Sequence, residues 1–391
     1  MTEFDSALDV IWARSISLFT REEWDKLALP QTSPFLEWDW LRLAEESGSA
    51  SPRTGWIPHH LGIRRGGRLI AAAPLYLKMN SRGEFVFDHV WAEVAGKLGA
   101  PFYPKLVGMS PFTPADGYKF MISDREDEQV LSRTMAGLID RFCMENGMGG
   151  SNFHFVDPLW QKSMKKNGWV SWMHPGFAWY NRDFETFDDF LLLFNSNQRK
   201  NIRKERNSPA KEGVELHIHL GSDASDNLYE LMFHLYARHN DQFGPWGCKF
   251  LTQEFFHGLK QAFGRRILFV AASPSGKPEN PFAMAMLVHK NDRLFGRYWG
   301  TTQRIRNLHF NVCYYEPIAW AIENQILRFD PGMGGRHKAR RGFTAEPNYS
   351  LHRFCDMRMR AVMNAHMDMI NELEQEEIEN LNAELPFKRT G

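Results

Sequence analysis

Apolar and polar positions along the chain change period several times, and each change marks an element. Residues 10–17 read as a strand. "TREEWDKLAL" and "SPFLEWDWLRLAEESG" carry apolar residues at helical spacing, and the second opens on Ser-Pro and stops at Ser-Gly. "HLGIRRGGRLIAAAPLYLK" predicts two strands joined through Gly66-Gly67, the punctuation of a tight hairpin. Further strands are predicted at "EFVFDHV" and "YPKLVGM", a helix over 126–146, and an alternating strand at "SNFHFVDPL".

The second half runs through the same order. "TFDDFLLLFNSNQRKNIRKERN" predicts one helix, apolar first and then basic, and "VELHIHL" predicts a strand. Helices at 224–240 and 252–263 follow, then strands at "RILFVAA", "FAMAMLVHK" and "RLFGRYWG", a helix through "CYYEPIAWAIENQ" and the strand "ILRFDPG". The shared order is strand, helix, helix, a run of strands, helix, strand, with almost no residue identity between halves. It predicts a duplicated fold of α/β (α+β) class with domains at 1–175 and 176–391. A helix rich in Met and Glu over 357–384 is expected to pack on the second domain.

Composition agrees with this picture. A chain of 391 residues is long enough for two cores, and 43% hydrophobic with 24% charged residues is a globular balance. Forty-seven basic residues against 47 acidic ones leave no global field to attract DNA or an anionic membrane, so any anion site must be a local cluster. Cys143, Cys248, Cys313 and Cys355 are far apart in sequence, which argues against a zinc knuckle or disulfide framework and for a reducing cytoplasm. The acidic start "MTEFDSALDV" lacks signal-peptide character, and no apolar run is long enough for a membrane span.

Three clusters could carry chemistry. In "NQRKNIRKERN", Arg199, Arg203 and Arg206 fall at i, i+4 and i+7 and share one helical face, either as a solvated surface or as a phosphate grip. "FDPGMGGRHKARRGF" is neither a Walker loop, having no hydroxyl residue after Lys338, nor a dinucleotide fingerprint. It offers a flexible backbone carrying His337 and Lys338, or only a basic surface loop. Third, Tyr298, Trp299 and Gly300 end a strand ahead of a loop with Arg304 and Arg306 and a helix bearing Tyr314 and Tyr315, which together suggest a pocket. His217 and His219 share a strand face without a third ligand nearby, so no metal site is expected, and no Gly-x-Ser-x-Gly elbow is present.

The duplicated order resembles tandem GNAT acyltransferases, and the pairing resembles the Fem-type peptidyltransferases of peptidoglycan cross-bridge synthesis. "GEFVFDHVWAEV", "FYPKLVGMSPFTPADG", "FDDFLLLFNSNQRKNIRKER", "GRYWG", "LHFNVCYYEPIAWAIE" and "HKARRGFTAEPNYSLH" look like landmarks of a Fem-like group of N-acyltransferases. The resemblance implies two domains, each a mixed, mostly antiparallel sheet flanked by helices. It also implies amide-bond formation between an activated acyl or aminoacyl donor and an amine of a peptide, amino acid or cell-wall-like precursor. No metal, covalent intermediate or tightly bound cofactor is implied, and the donor is aminoacyl-tRNA or acyl-CoA. Neither half contains the usual pyrophosphate loop of acyl-CoA users.

On this resemblance Lys338 becomes the expected charge stabiliser and His337 the proton carrier. Arg199 and Arg203 become phosphate-grip residues. Tyr298, Trp299, Asn311, Tyr315, Asp88, His89 and Lys105 are the remaining substrate-binding candidates. Asn311 and Arg336 stand where the family pattern has glutamate, and Ala178 where it has histidine. A degenerate transferase acting as a peptide- or glycan-binding module is therefore the rival expectation, with RNA binding through the Arg199–Arg206 helix a third.

Overall fold

The computed structural model describes residues 8–388. The chain forms two compact units, one of residues 1–174 with 347–375, the other of residues 175–346 with 376–391.

In the first unit, strands β1 (Leu8–Ala13), β2 (Ile57–Pro58), β3 (His60–Arg65), β4 (Arg68–Ala73), β5 (Tyr76–Lys78), β6 (Lys105–Gly108), β7 (Met121–Ile122) and β8 (Gly150–Phe153) are laid out in chain order. They form one antiparallel group in the order β1-β3-β4-β7 and a second containing β2-β5-β6-β8, in which β6 and β8 run parallel. The helix Glu128–Glu145 makes the crossover that a parallel pair requires. Gly66 and Gly67 both take left-handed φ angles, 56° and 76°, as a two-residue turn between β3 and β4 demands. Thr20 and Glu23 close a reciprocal capping box at the start of the helix Arg21–Ala28.

β9 (Val170–Tyr180) carries the chain from the first unit into the second. There β10 (Val214–Leu220), β11 (Ile267–Pro274), β12 (Ala283–Lys290), β13 (Arg293–Thr301) and β14 (Arg328–Asp330) are followed by β15 (Thr344–Phe354), which returns to the first unit. The second unit's order is β10-β11-β12-β13-β14-β9, antiparallel except for the parallel pair β13·β14. β11 and β12 are buried along nearly their whole length, which is why they read as continuous apolar runs. The helices Asp226–Asp241 and Gln253–Phe263 precede β11, reproducing the predicted order of this half.

Four expectations change. "EFVFDHV" is not a strand: Phe85 is left-handed and the helix His89–Leu98 begins there. The long helix expected over the apolar-then-basic stretch breaks into Phe187–Leu191 and Ser196–Arg206, because Asn195 is extended and its side chain caps the second piece by accepting from the Gln198 N–H at 3.0 Å. The helix through "CYYEPIAWAIENQ" contains a π-helical stretch, Asn311–Tyr315. Finally, most of the helix Met357–Ala383 joins the first unit, where Met359, Met363 and Met367 bury with Trp91, Ala95 and Phe102.

Candidate active site

A cavity of about 990 Å3 opens in the second unit, between the helix Ser196–Arg206 and the 3₁₀ helix Arg336–Arg341. The first contributes Gln198, Asn201, Lys204 and Glu205, and the second Arg336, His337, Ala339, Arg340 and Arg341. Gln198 joins them by donating to the Arg340 carbonyl at 2.7 Å. Arg306, Asn307 and Phe310 form a third wall.

Of the five Lys and Arg side chains on the cavity, Arg336 pairs with Glu377 at 2.5 Å and Arg341 with Glu205 at 2.8 Å. Lys204, Arg306 and Arg340 have no carboxylate partner among the described residues. Glu205 is fully engaged: Arg341 donates to both of its oxygens and the Tyr315 hydroxyl donates at 2.5 Å. It holds its neighbours in place. The Arg341 guanidinium also lies 3.2 Å from the centre of the Phe310 ring, a desolvated cation–π contact.

His337 faces the cavity, with Nε2 3.1 Å from the Tyr314 hydroxyl. Partial burial and the charges of Arg341 and Lys338 lower its pKa, so the ring is neutral at pH 7. Gly335 makes the position possible: its φ is +91°, and a Cβ there would lie 2.4 Å from His337 Cε1. Behind Phe310 and His337, the rings of Tyr314, His309 and Trp299 form an aromatic cluster, with the His309 and Trp299 rings 4.8 Å apart. Burial pulls the His309 pKa down to about 3, with His337 adding to it, so this second imidazole is also neutral.

Lys338 is placed otherwise than expected. Its side chain is buried and turned from the cavity, donating to the carbonyls of Gly332 at 2.6 Å and Met333 at 3.0 Å. Asp330 shapes the same loop by accepting from the Gly332 N–H at 2.7 Å and pairing with Arg297 at 3.1 Å. Burial lowers the Lys338 pKa to about 8, which Asp330 offsets only in part. The geometry makes Lys338 a clamp between the glycine loop and the 3₁₀ helix.

The arginine stripe faces away from the cavity. Arg199 donates to the Phe194 carbonyl at 2.7 Å, Arg203 pairs with Asp188 at 3.0 Å, and Arg206 pairs with Glu316 at 3.0 Å. Tyr298 and Trp299, as consecutive strand residues, point to opposite faces: Tyr298 packs on Tyr236 and Phe256, and Trp299 joins the cluster behind the cavity through His309. Asn311 is buried and stitches helices together, its amide donating to the carbonyls of Glu205 and Asn307. Tyr315 supports Glu205, whereas its neighbour Tyr314 meets His337. His217 and His219 lie side by side on β10, and no group of metal-ligating side chains occurs among the described residues.

In the first unit, Asp88 and Lys105 come together and His89 does not, being exposed. Lys105 Nζ contacts Glu84 at 2.7 Å, Asp88 at 2.5 Å and the Ser81 hydroxyl at 2.8 Å, all within the protein interior. Burial works to lower the Lys105 pKa, but Glu84 and Asp88 outweigh it and hold the ammonium above its ordinary value. His154 Nε2 adds a 3.1 Å contact to Glu84. Sequence pattern did not single out Glu84, because its partner Lys105 lies further along the chain on β6.

Solved structures with this fold include the C-terminal domain of a protein assigned as a lysylphosphatidylglycerol synthetase from Agrobacterium fabrum, 11% identical, with a TM-score of 0.53 over 88% of this chain and 94% of that one. FemX is similar at 11% identity and a TM-score of 0.53, over 88% of this chain and 98% of its own. A tandem GNAT protein from the clavulanic acid biosynthesis pathway is also similar at 11% identity and a TM-score of 0.46, over 89% and 99%. The mixed α/β architecture that the sequence predicted is thus shared with FemX and with that C-terminal domain. The chain belongs to the FemAB-like family, described as one of peptidoglycan biosynthesis and recognition, whose model matches residues 15–389. No curated protein matches the sequence. Among the described residues, no helix is long and apolar enough to cross a membrane.

Proposed function

We propose that the protein transfers an acyl or aminoacyl group from a phosphate-bearing carrier to the amine of a peptide, amino acid or cell-wall-like precursor. The observation that carries this reading is the second-unit cavity, where Lys204, Arg306 and Arg340 lack carboxylate partners beside a neutral His337. Unpaired cations on a concave wall favour phosphate oxygens, which aminoacyl-tRNA and acyl-CoA have in common. Either carrier suits a cytoplasmic protein.

Amide formation needs a neutral amine aimed at an activated carbonyl and a base that takes its proton as the tetrahedral intermediate forms; when the bond to the carrier then breaks, that proton goes to the departing thiol or ribose hydroxyl. In the tautomer whose Nε2–H donates to the Tyr314 oxygen, His337 Nδ1 is that base. Lys338 is a positioning residue that fixes the loop on which His337 stands.

A second reading, a module that recognises such a precursor without transferring anything, is favoured by Glu205, a cavity carboxylate wholly committed to Arg341 and Tyr315. Mass analysis of amine mixtures incubated with acyl-CoA or charged tRNA separates the two. Transfer is expected, with His337→Ala lowering turnover about a hundredfold or more. Product formed at the wild-type rate by that variant removes the role of His337, and no product with any donor leaves the recognition module.

A further inference from the structure

We propose that Lys78, Lys105 and His154 form an oxyanion-binding site in the first unit, and that the chain's own Glu84 and Asp88 occupy it in this structure. Lys78 and Lys105 are direct cross-strand partners on β5 and β6, and both are buried. Like charges placed opposite each other on a sheet repel, and each ammonium costs several kcal/mol to take out of water. A fold built only for stability would put apolar residues there. Two buried lysines on one strand floor make sense where negative charge is brought to them.

The negative charge here comes from a covering segment and not from the sheet. Residues 81–88 supply Ser81, Glu84 and Asp88 to Lys105, while Lys78 donates to the Arg82 carbonyl at 3.0 Å and lies 3.9 Å from the centre of the Trp56 ring. Asp88 stands at the N-cap of the helix His89–Leu98 and makes no capping hydrogen bond, having given its carboxylate to Lys105. Glu84 Oε1, Asp88 Oδ1 and His154 Nδ1 are buried and have no hydrogen-bond partner. Lys105 spends its three donors on Ser81, Glu84 and Asp88, whereas buried Lys78 has, among the described residues, only the Arg82 carbonyl as acceptor. Part of the Lys78 ammonium is thus met by neither carboxylate, as in a site built for a ligand with more oxygens.

The cover has the attributes of a segment that can lift. Phe85 is held at φ 57°, an unfavourable conformation for a bulky residue. Phe87 is 71% exposed and Val90 in the following helix is exposed as well, so of the apolar side chains from Phe85 to Phe87 only Val86 is fully buried. Arg82 is anchored by Trp56 and Lys78, and Gly83, at φ +80°, follows at the point where Glu84–Asp88 would hinge. Displacing the carboxylates would leave both lysines to a phosphate or similar polyvalent anion.

Calorimetric titration with inorganic pyrophosphate tests this. Wild type should bind weakly because it competes with its own carboxylates. Glu84→Gln/Asp88→Asn should bind at least about tenfold more tightly, and adding Lys105→Met should abolish the gain. Binding at the second unit's cavity is common to all three proteins and cancels in the comparison. A folded double variant that binds no more tightly than wild type, or a gain that survives Lys105→Met, overturns the proposal. Should the double variant not fold, Asp88→Asn alone is judged by the same criterion.

Discussion

The two units each bury a lysine near a parallel strand pair and treat it in opposite ways. Lys105, at the start of β6, is surrounded by Glu84 and Asp88, and its pKa stands above the ordinary value. Lys338, after β14, donates to the neutral carbonyls of Gly332 and Met333, and burial, which Asp330 offsets only in part, brings its pKa down to about 8. Equal burial thus yields a permanent cation in one unit and a readily deprotonated amine in the other. What distinguishes them is the charge of the acceptors, since desolvation penalises both.

The comparison breaks most severely at Lys105. Lys105→Met leaves two buried carboxylates without their cation, and about 3–5 kcal/mol of stability should be lost. Chemical denaturation would show it, and Glu84→Gln/Asp88→Asn in the same background should restore much of the loss. Recovery would fail if Lys105 served only as packing volume.

Lys338 should show itself through pH. Its folded pKa of about 8 lies below the unfolded value, so the unfolded chain holds the extra proton between the two and stability rises with pH across that window. The rise contributed by this group is of the order of 3 kcal/mol at full extent. Lys105, raised in the folded state, contributes in the opposite sense: its stabilisation is complete below the unfolded pKa and is lost as pH climbs through the folded one. Subtracting the pH–stability curve of Lys338→Met from that of wild type should isolate an upward slope from pH 8. A flat difference would show that the lysine is not buried as a cation.

Much of the fold was legible where local chemistry decides it. Gly66-Gly67 specified a hairpin, and the apolar runs of β11 and β12 specified strands buried on both faces. "EFVFDHV" alternates like a strand, yet Glu84 and Asp88 are drawn to an ammonium about twenty residues further on, and no local pattern encodes that. In the second-unit site the basic loop was visible, but which of His337 and Lys338 faces the cavity is set by the 3₁₀ turn and the left-handed Gly335. Residue types pointed to this loop, and backbone geometry decides which of its side chains face the cavity.

The smallest predicted effects separate two faces of one helix. Spacing correctly put Arg199, Arg203 and Arg206 together, but the structure pairs that face internally and gives the cavity the other one, with Lys204. If the cavity holds a phosphate-bearing donor, Arg306→Ala should weaken donor binding by about 1.5–3 kcal/mol, as expected for a lost charged hydrogen bond. Lys204→Ala should act in the same direction, with the affinity of the wild type falling as salt rises. Arg203→Ala breaks only an exposed pair with Asp188 and should leave donor affinity within about threefold of wild type, consistent with the small worth of surface ion pairs. Donor affinities measured for these variants under one salt condition make the comparison. Arg203→Ala weakening the donor as much as Arg306→Ala would move the anion grip back to the face that the sequence first suggested, and with it the orientation of the whole site.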